Sequence, residues 1–141
     1  MLPARVLCAV IGSSLAILLG TAALLTPDSR GHGTHEQLGL SPCTFATFAG
    51  RRCPACGMTT AWSHLTHGNV YAAVQTHTSG TVLGILAVVL SAWSLTYAVF
   101  GGLRVRLPTE RILLVMGITM LMFMLVEWLM RLSEQGFRFA A

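Results

Sequence analysis

The stretch GTVLGILAVVLSAWSLTYAVF, residues 80–100, is apolar and free of charged residues over its whole length. A helix needs about 20 apolar residues to cross a bilayer, so this stretch predicts a membrane span. Small residues recur along it at spacings of four and three: Gly80, Gly84, Ala87, Ser91, Ser94 and Ala98. At helical periodicity they form one face, here named the small-residue stripe. Small side chains let helices approach closely in lipid, so we predict that the stripe packs against another span, either of this chain or of a second copy in a homo- or hetero-oligomer.

Two further stretches, at about 6–25 and 112–130, are also long and apolar enough to span. The chain is 54% hydrophobic and only 10% charged, whereas soluble domains carry about a quarter charged residues. The sequence therefore predicts an all-α membrane protein, a single membrane domain of residues 1–141 with three transmembrane helices and an extramembrane segment at 26–79. The first stretch is alternatively a cleaved signal peptide; its length favours an uncleaved anchor.

The charge pattern argues against a nucleic-acid partner. The net charge is +4 and every basic residue is an arginine, but these stand singly or in pairs without an aromatic platform, so we interpret them as flanks of membrane segments in a lipid bilayer. Within the third span, Glu127 precedes Arg131 by four residues, which indicates a helical ion pair. The alternative is a buried glutamate that carries protons.

The extramembrane segment changes character along its length. Its first part is rich in turn-forming residues and predicts a loop. Met58, Trp62 and Leu65 then recur at helical spacing, which predicts a short amphipathic helix over 58–67 on the membrane surface, with Trp62 near the headgroups. Gly68 fits a helix stop, and Asn69 fits the N-cap of a second short helix over 70–77 that could run into the span.

The motif Cys-Pro-x-Cys-Gly at 53–57 has the shape of a zinc knuckle, in which the glycine lets backbone N–H groups approach the sulfurs. A knuckle supplies two ligands, so a metal site would need Cys43 as a third and His35, His64 or His67 as a fourth. The candidate metal ligands are Cys43, Cys53, Cys56 and His64, with zinc as the candidate ion. The candidate structural glycines are Gly57, Gly68, Gly80 and Gly84.

Two other interpretations of the cysteines stay open. A CxxC at a helix start lowers the pKa of its first thiol, so Cys53 and Cys56 are a candidate redox pair, with Cys43 exchanging with them, in a membrane thiol–disulfide oxidoreductase. Alternatively, Cys43 forms a structural disulfide with one of the pair. The segment has no room for a thioredoxin-like domain. The sequence therefore favours an accessory or structural role, with an elbow at the membrane surface stabilised by cysteines, and leaves enzymatic activity open.

The stretches GTHEQLGLSPCTF (33–45) and GRRCPACGMTTAWSHLTHGNVYAAV (50–74), followed by hydrophobic spans, resemble the domain of unknown function 2752 family. The resemblance covers about residues 35–79 and implies a small multi-pass protein of the bacterial inner membrane. The matching positions are Cys43, Gly50, Cys53, Pro54, Cys56, Gly57, Thr59, Gly68 and Ala73. The chain departs where the family usually has an arginine, at Thr60, and where it usually has Asn-Pro, at His77-Thr78. The resemblance implies a class and a site, because the activity of the family is not established.

Overall fold

A computed structural model describes residues 2–101 and 110–138, and these residues confirm the all-α fold class. No strand occurs among them. The helices are α1 (Leu2–Leu24), a 3-10 helix (Thr34–Leu38), α2 (Thr44–Ala49), α3 (Met58–Thr66), α4 (Val70–Thr76), α5 (Thr78–Phe100) and α6 (Glu110–Arg138).

Three of these helices are long and apolar enough to cross a membrane. The segments are Ala4–Leu24 in α1, Thr78–Phe100 in α5 and Leu114–Ser133 in α6. Many of their large apolar side chains are exposed on the protein surface, which suits a lipid environment. The chain is therefore a multi-pass membrane protein with the short helices between its first and second spans.

The small-residue stripe is a helix contact, as the sequence predicted. All of its members are buried except Ala98, which is half-buried. Ser91 Oγ donates a hydrogen bond of 2.9 Å to the carbonyl of Gly12, so α1 lies directly against the stripe. A Cβ atom added to Gly12 would lie 2.8 Å from Leu95 Cγ. The sequence left open whether the stripe packs against a span of this chain or of a second copy. In the structure it packs against α1 of the same chain.

Helix α3 covers the other end of the stripe. A Cβ atom on Gly84 would lie 2.8 Å from Leu65 Cδ2 and 3.1 Å from Trp62 Cδ1. Trp62 Nε1 donates a hydrogen bond of 2.8 Å to the carbonyl of Gly80. The predicted apolar face of this helix therefore packs on α5, and the position of Trp62 near the headgroups stays a prediction. The periodicity of a sequence locates an apolar face but does not reveal what covers it.

The boundaries of the short helices agree closely with the sequence signals. Gly68, at φ +79°, follows the end of α3, and the Asn69 side chain accepts a 3.0 Å hydrogen bond from the backbone N–H of Ala72, so the predicted stop and N-cap are confirmed. Helix α4 does not run into the span, because His77 is extended at φ −161° and separates α4 from α5. The expected loop before Met58 contains the 3-10 helix and α2.

Side chains from other helices cap both ends of α5. At its carboxyl end, the Arg5 guanidinium donates to the carbonyl of Ala98 at 2.9 and 3.1 Å. At its amino end, the Glu127 carboxylate accepts the N–H groups of Thr78 and Ser79 at 2.7 and 2.8 Å. Cations suit the carboxyl end of a helix and anions suit the amino end, where backbone groups lack partners within the helix. Helix α5 is therefore the central element to which α1 and α6 attach.

Candidate metal centre

Three cysteine thiols converge outside the spans. The sulfur atoms of Cys43, Cys53 and Cys56 all lie within 4.8 Å of one another, and we name them the three-cysteine cluster. Thiolates bound to one zinc ion at about 2.3 Å lie about 3.8 Å apart, so this spacing is close to that of a shared metal. All four cysteines of the chain are free, and the fourth, Cys8, is half-buried in α1. The cluster can bind a metal ion through three sulfurs.

Two short elements position the cluster. Cys43 is the residue immediately before α2, and the other two cysteines belong to the turn that precedes α3. Within this turn the backbone N–H of Cys56 donates to the carbonyl of Cys53 at 3.0 Å. Gly57 follows at φ +97°, and a Cβ atom there would lie 2.8 Å from the carbonyl oxygen of Gly31. Only glycine combines this left-handed backbone with so close an approach of the preceding loop.

A cleft of about 460 Å³ opens beside the three-cysteine cluster. The cluster lines one side of it, and His32 and His35 line it from the loop between α1 and α2. Burial lowers the pKa of His32, and the nearby guanidinium of Arg52 lowers it further. A neutral imidazole is the form that binds metals. The cleft therefore brings soft sulfur ligands and imidazoles to one accessible space.

Ion pairs and a buried hydrogen bond hold the histidine-bearing loop. Arg30 pairs with Asp28 at 2.7 Å and with Glu36 at 2.9 Å. The hydrogen bonds from Arg30 lower the pKa of the Asp28 carboxyl to about 2, so Asp28 is ionised at neutral pH. The hydroxyls of Thr34 and Thr60 share a hydrogen bond of 2.8 Å, and both residues are fully buried. Thr60, one of the departures from the family pattern, thus fixes this loop on α3.

The environments of the thiols differ. Burial, together with the neighbouring sulfur of Cys53, raises the pKa of the Cys56 thiol to about 12. The backbone N–H of Ala46, at the start of α2, lowers the pKa of the Cys43 thiol. Without a metal, Cys56 therefore stays protonated at neutral pH and is a weak nucleophile. A bound metal ion would displace that proton, since metals bind the thiolate.

The structure brings together three of the four candidate metal ligands. His64 lies in α3 and is outside the group of ligand atoms within 4.8 Å of one another. His67 uses its Nδ1 atom in a 2.7 Å hydrogen bond with the carbonyl of Ser63. His35 lines the cleft, as does His32, which the sequence reasoning missed. The spacing His32-x-x-His35 is the only signal that could have found it, because the surrounding turn formers carry no periodicity.

The candidate redox pair has a different setting from the expected one. Helix α3 begins at Met58, so Cys53 stands well before the helix start. The cysteine at an N-cap position is Cys43, which precedes the short helix α2. The positive helix end that was expected to activate Cys53 therefore does not reach it directly.

The cysteine turn is tied to the start of α5 through His77. This imidazole is 1% exposed, and its Nε2 donates a hydrogen bond of 2.9 Å to the carbonyl of Pro54, between the two cysteines of the motif. Its Nδ1 accepts the N–H of Gly80 at 3.1 Å and so caps α5. His77 is the second departure from the family pattern. It joins the cysteine turn to the second span.

The third span, α6, also contacts the cysteine turn. Glu127 and Arg131 form the predicted ion pair, and the sequence reasoning missed that the Glu127 carboxylate also caps α5. Trp128 Nε1 donates a 2.7 Å hydrogen bond to the carbonyl of Arg52, next to Cys53. The Trp128 ring meets Phe45 of α2 edge to face, with ring centroids 6.3 Å apart. A proton-carrying role of Glu127 stays a prediction.

Comparison with protein families gives a match over part of the chain. The profile of the family described as "Protein of unknown function (DUF2752)" matches residues 43–91, from Cys43 in the cluster to Ser91 in α5. The curated proteins and the solved structures each give no match. The matched residues contain the whole three-cysteine cluster together with α3 and α4. Over this segment the chain thus resembles the DUF2752 family of unknown function, as a membrane protein that carries a cluster of cysteines.

Proposed function

We propose that the three-cysteine cluster binds one zinc ion and that this ion holds together the elbow, residues 26–79, that links the first two spans. The role is structural or accessory, in the inner membrane of a bacterium. The observation that carries the proposal is the convergence of three free thiols within 4.8 Å of one another. Zinc binds cysteine thiolates in tetrahedral sites, and such sites contribute directly to folding.

The position of the cluster supports a structural role. The cysteine turn meets α5 through the bond from His77 to Pro54, and it meets α6 through the bond from Trp128 to Arg52. Helix α3, which follows the turn, meets the end of α1 because Ser63 Oγ donates to the carbonyl of Leu25. A metal at this turn would therefore order the point where elements from all three candidate spans meet.

The free thiols also support a second candidate, a thiol–disulfide oxidoreductase in the membrane. Cys43 lies close to both thiols of the CxxC motif, and its lowered pKa suits an attacking thiolate. The raised pKa of Cys56 makes that residue a poor attacking group. In this candidate, the Cys43 thiolate would attack a disulfide between Cys53 and Cys56, form a new disulfide with one of these sulfurs and release the other as a thiolate, so that the number of disulfides stays the same.

The test is elemental analysis and thiol counting on the full chain, purified in mild detergent without chelator or reductant. We expect about one zinc ion per chain and no disulfide. Cys43→Ser, Cys53→Ser and Cys56→Ser should each abolish zinc binding, because each removes one of three shared ligands, and the triple variant should add little. Cys8→Ser is the matched control, since this cysteine lies in α1, and it should retain zinc.

Other results would favour the second candidate. A Cys53–Cys56 disulfide without metal would contradict the zinc proposal and support the oxidoreductase. Full zinc content in Cys43→Ser would contradict a site built by three cysteines.

A further inference from the structure

The three-cysteine cluster supplies one ligand fewer than zinc normally takes. Tetrahedral zinc has four ligands; structural sites close all four with protein, and open sites leave one to solvent or substrate. Within residues 2–101 and 110–138, no histidine, aspartate or glutamate joins the three sulfurs in the group within 4.8 Å. The protein atoms described thus account for three positions of the coordination sphere.

The cleft lies where a fourth ligand would enter. All three cysteines line it, so the cluster faces open space on this side rather than packed side chains. Its volume of about 460 Å³ falls within the range of about 300–1,000 Å³ typical of sites for small molecules. A small ligand therefore has both access to the sulfurs and room beside them.

His32 and His35 belong to the loop between α1 and α2, and neither is part of the three-cysteine cluster. Arg30 pairs with carboxylates on both sides of this loop, and the buried hydrogen bond between Thr34 and Thr60 anchors it to α3. Neither His32 nor His35 has a ring nitrogen in the group of ligand atoms within 4.8 Å of one another, so either histidine would have to change its position to bind the metal. This arrangement leaves the fourth position to a ligand from solution.

We infer that the fourth position of the bound metal faces this cleft and takes a small thiol from solution. The inference rests on the proposed zinc site and makes it an open site, so of the two proposed roles it favours the accessory one over the purely structural one. Three thiolates make a soft site that accepts a fourth sulfur donor readily. The incoming thiol replaces the water on the metal, forms the metal–sulfur bond as a thiolate and releases its proton to solvent, and no atom changes oxidation state.

The charge around the cleft is compatible with this ligand. Zinc with three thiolates has a net charge of −1, and a fourth thiolate makes it −2, so nearby cations are needed. Arg52 donates a 3.1 Å hydrogen bond to the carbonyl of Arg30, which places two arginines at this loop. Both arginines lower the pKa of His32 through their charge, whereas Asp28 and Glu36 raise it. Because Arg30 is paired with these two carboxylates, the positive charge available to the site is that of Arg52.

The experiment uses the full chain in detergent with cobalt(II) in place of zinc, since cobalt reports its sulfur ligands through charge-transfer absorption. The probe is 2-mercaptoethanol, and ethylene glycol, its oxygen analogue, is the matched control. Saturating mercaptoethanol should raise the charge-transfer absorbance by about one third, because three cobalt–sulfur bonds become four. Ethylene glycol should leave the absorbance unchanged. His32→Ala and His35→Ala should start from the same spectrum and respond in the same way.

The outcomes separate the two proposals. If cobalt binds with thiolate charge-transfer bands but mercaptoethanol leaves them unmoved, or removes the cobalt, the inference is overturned while the metal site stands. A starting spectrum that changes in either histidine variant would overturn it too and would identify the internal fourth ligand. If no thiolate charge-transfer band forms at all, the zinc proposal itself fails.

Discussion

The contact between α1 and α5 and the contact between α6 and α5 are built on opposite principles. Helix α1 lies along the small-residue stripe, where Gly12 approaches so closely that an added Cβ atom would meet Leu95. Helix α6 attaches at the amino end of α5 through the carboxylate of Glu127, and Gly117, nearly three turns away, has no neighbouring atom within 4 Å of its Cβ position. The first contact is made along its length by close packing, to which Ser91 and Arg5 add hydrogen bonds, and the second is made by polar groups at one end.

The difference teaches how helices associate when both face lipid. Hydrocarbon drives no hydrophobic association between spans, so the available forces are close packing of small residues and hydrogen bonds between polar groups. The first depends on many positions along a helix, whereas the second depends on a few atoms at one end. Added bulk on the packed face should therefore break the first contact and leave the second intact, and loss of the Glu127 charge should do the reverse.

The largest effect is expected from Gly12→Leu. The new side chain would collide with the side chain of Leu95 and with its backbone nitrogen, which lies 3.1 Å from the added Cβ. Because a backbone atom cannot swing aside, we expect the free energy of unfolding to fall by about 3 kcal/mol. Gly20→Leu is the matched control on the same helix, since Gly20 has nothing within 4 Å of its Cβ position. Denaturant titration in micelles would measure both, and equal stability would contradict a packed contact.

The stripe on α5 allows the same test from the other side. Gly84→Leu should destabilise the protein, because its Cβ would press on Leu65 and Trp62 of α3. Val89→Leu should be tolerated, because Val89 is 61% exposed. Similar losses in both variants would show that the stripe is not a special surface.

Features that depend on residues close together in the sequence were predicted well, and those that join distant residues were not. The spans, the stripe and the limits of α3 follow from periodicity and from local signals such as Gly68 and Asn69. The role of Cys43 followed from its being the only other cysteine outside a span. The cap of Glu127 on Thr78 joins residues 49 positions apart, and no local pattern encodes it.

The site was less predictable than the fold for a related reason. His32 reaches the cleft because the loop is folded back by Arg30 and by the buried pair of Thr34 and Thr60. Each of these contacts depends on tertiary structure. In the sequence the same residues stand among turn formers and indicate only a loop.

Loss of the Glu127 charge should weaken the polar contact alone. Glu127→Gln keeps the size of the side chain but leaves one oxygen to serve the N–H groups of Thr78 and Ser79, and it removes the ion pair with Arg131. We expect a loss of about 1.5 kcal/mol, seen as roughly tenfold faster hydrogen exchange at these two amides. Gly117→Leu, which adds bulk to α6, should leave their exchange unchanged. Faster exchange in Gly117→Leu but not in Glu127→Gln would show that packing, and not the Glu127 carboxylate, makes the contact between α6 and α5.

His77→Asn should separate the capping of α5 from the tie to the cysteine turn. Asparagine is a good N-cap, so α5 should keep its start, but it cannot maintain the bond of Nε2 to the Pro54 carbonyl. Loss of such a contact behind metal ligands should weaken zinc binding about tenfold. His67→Asn, a change at an exposed histidine, is the control. Competition with a chelator of known affinity would measure the effect, and unchanged zinc affinity would show that the turn does not depend on this tie.

The smallest effect is expected from Asn69→Ala, which alters neither contact between spans. The Asn69 side chain accepts the N–H of Ala72 at 3.0 Å and thereby caps α4, a short helix of the elbow that packs on α3 and on the start of α5. Its loss should cost about 1 kcal/mol. We expect faster hydrogen exchange in the first turn of α4, with unchanged exchange at Thr78 and unchanged zinc content. Asn69→Ser, which keeps an acceptor oxygen, should restore most of the protection. Release of zinc by Asn69→Ala, or faster exchange at the start of α5, would show that the elbow and the spans unfold as one unit. The difference between the α1–α5 and α6–α5 contacts would then be a local feature of a single cooperative structure.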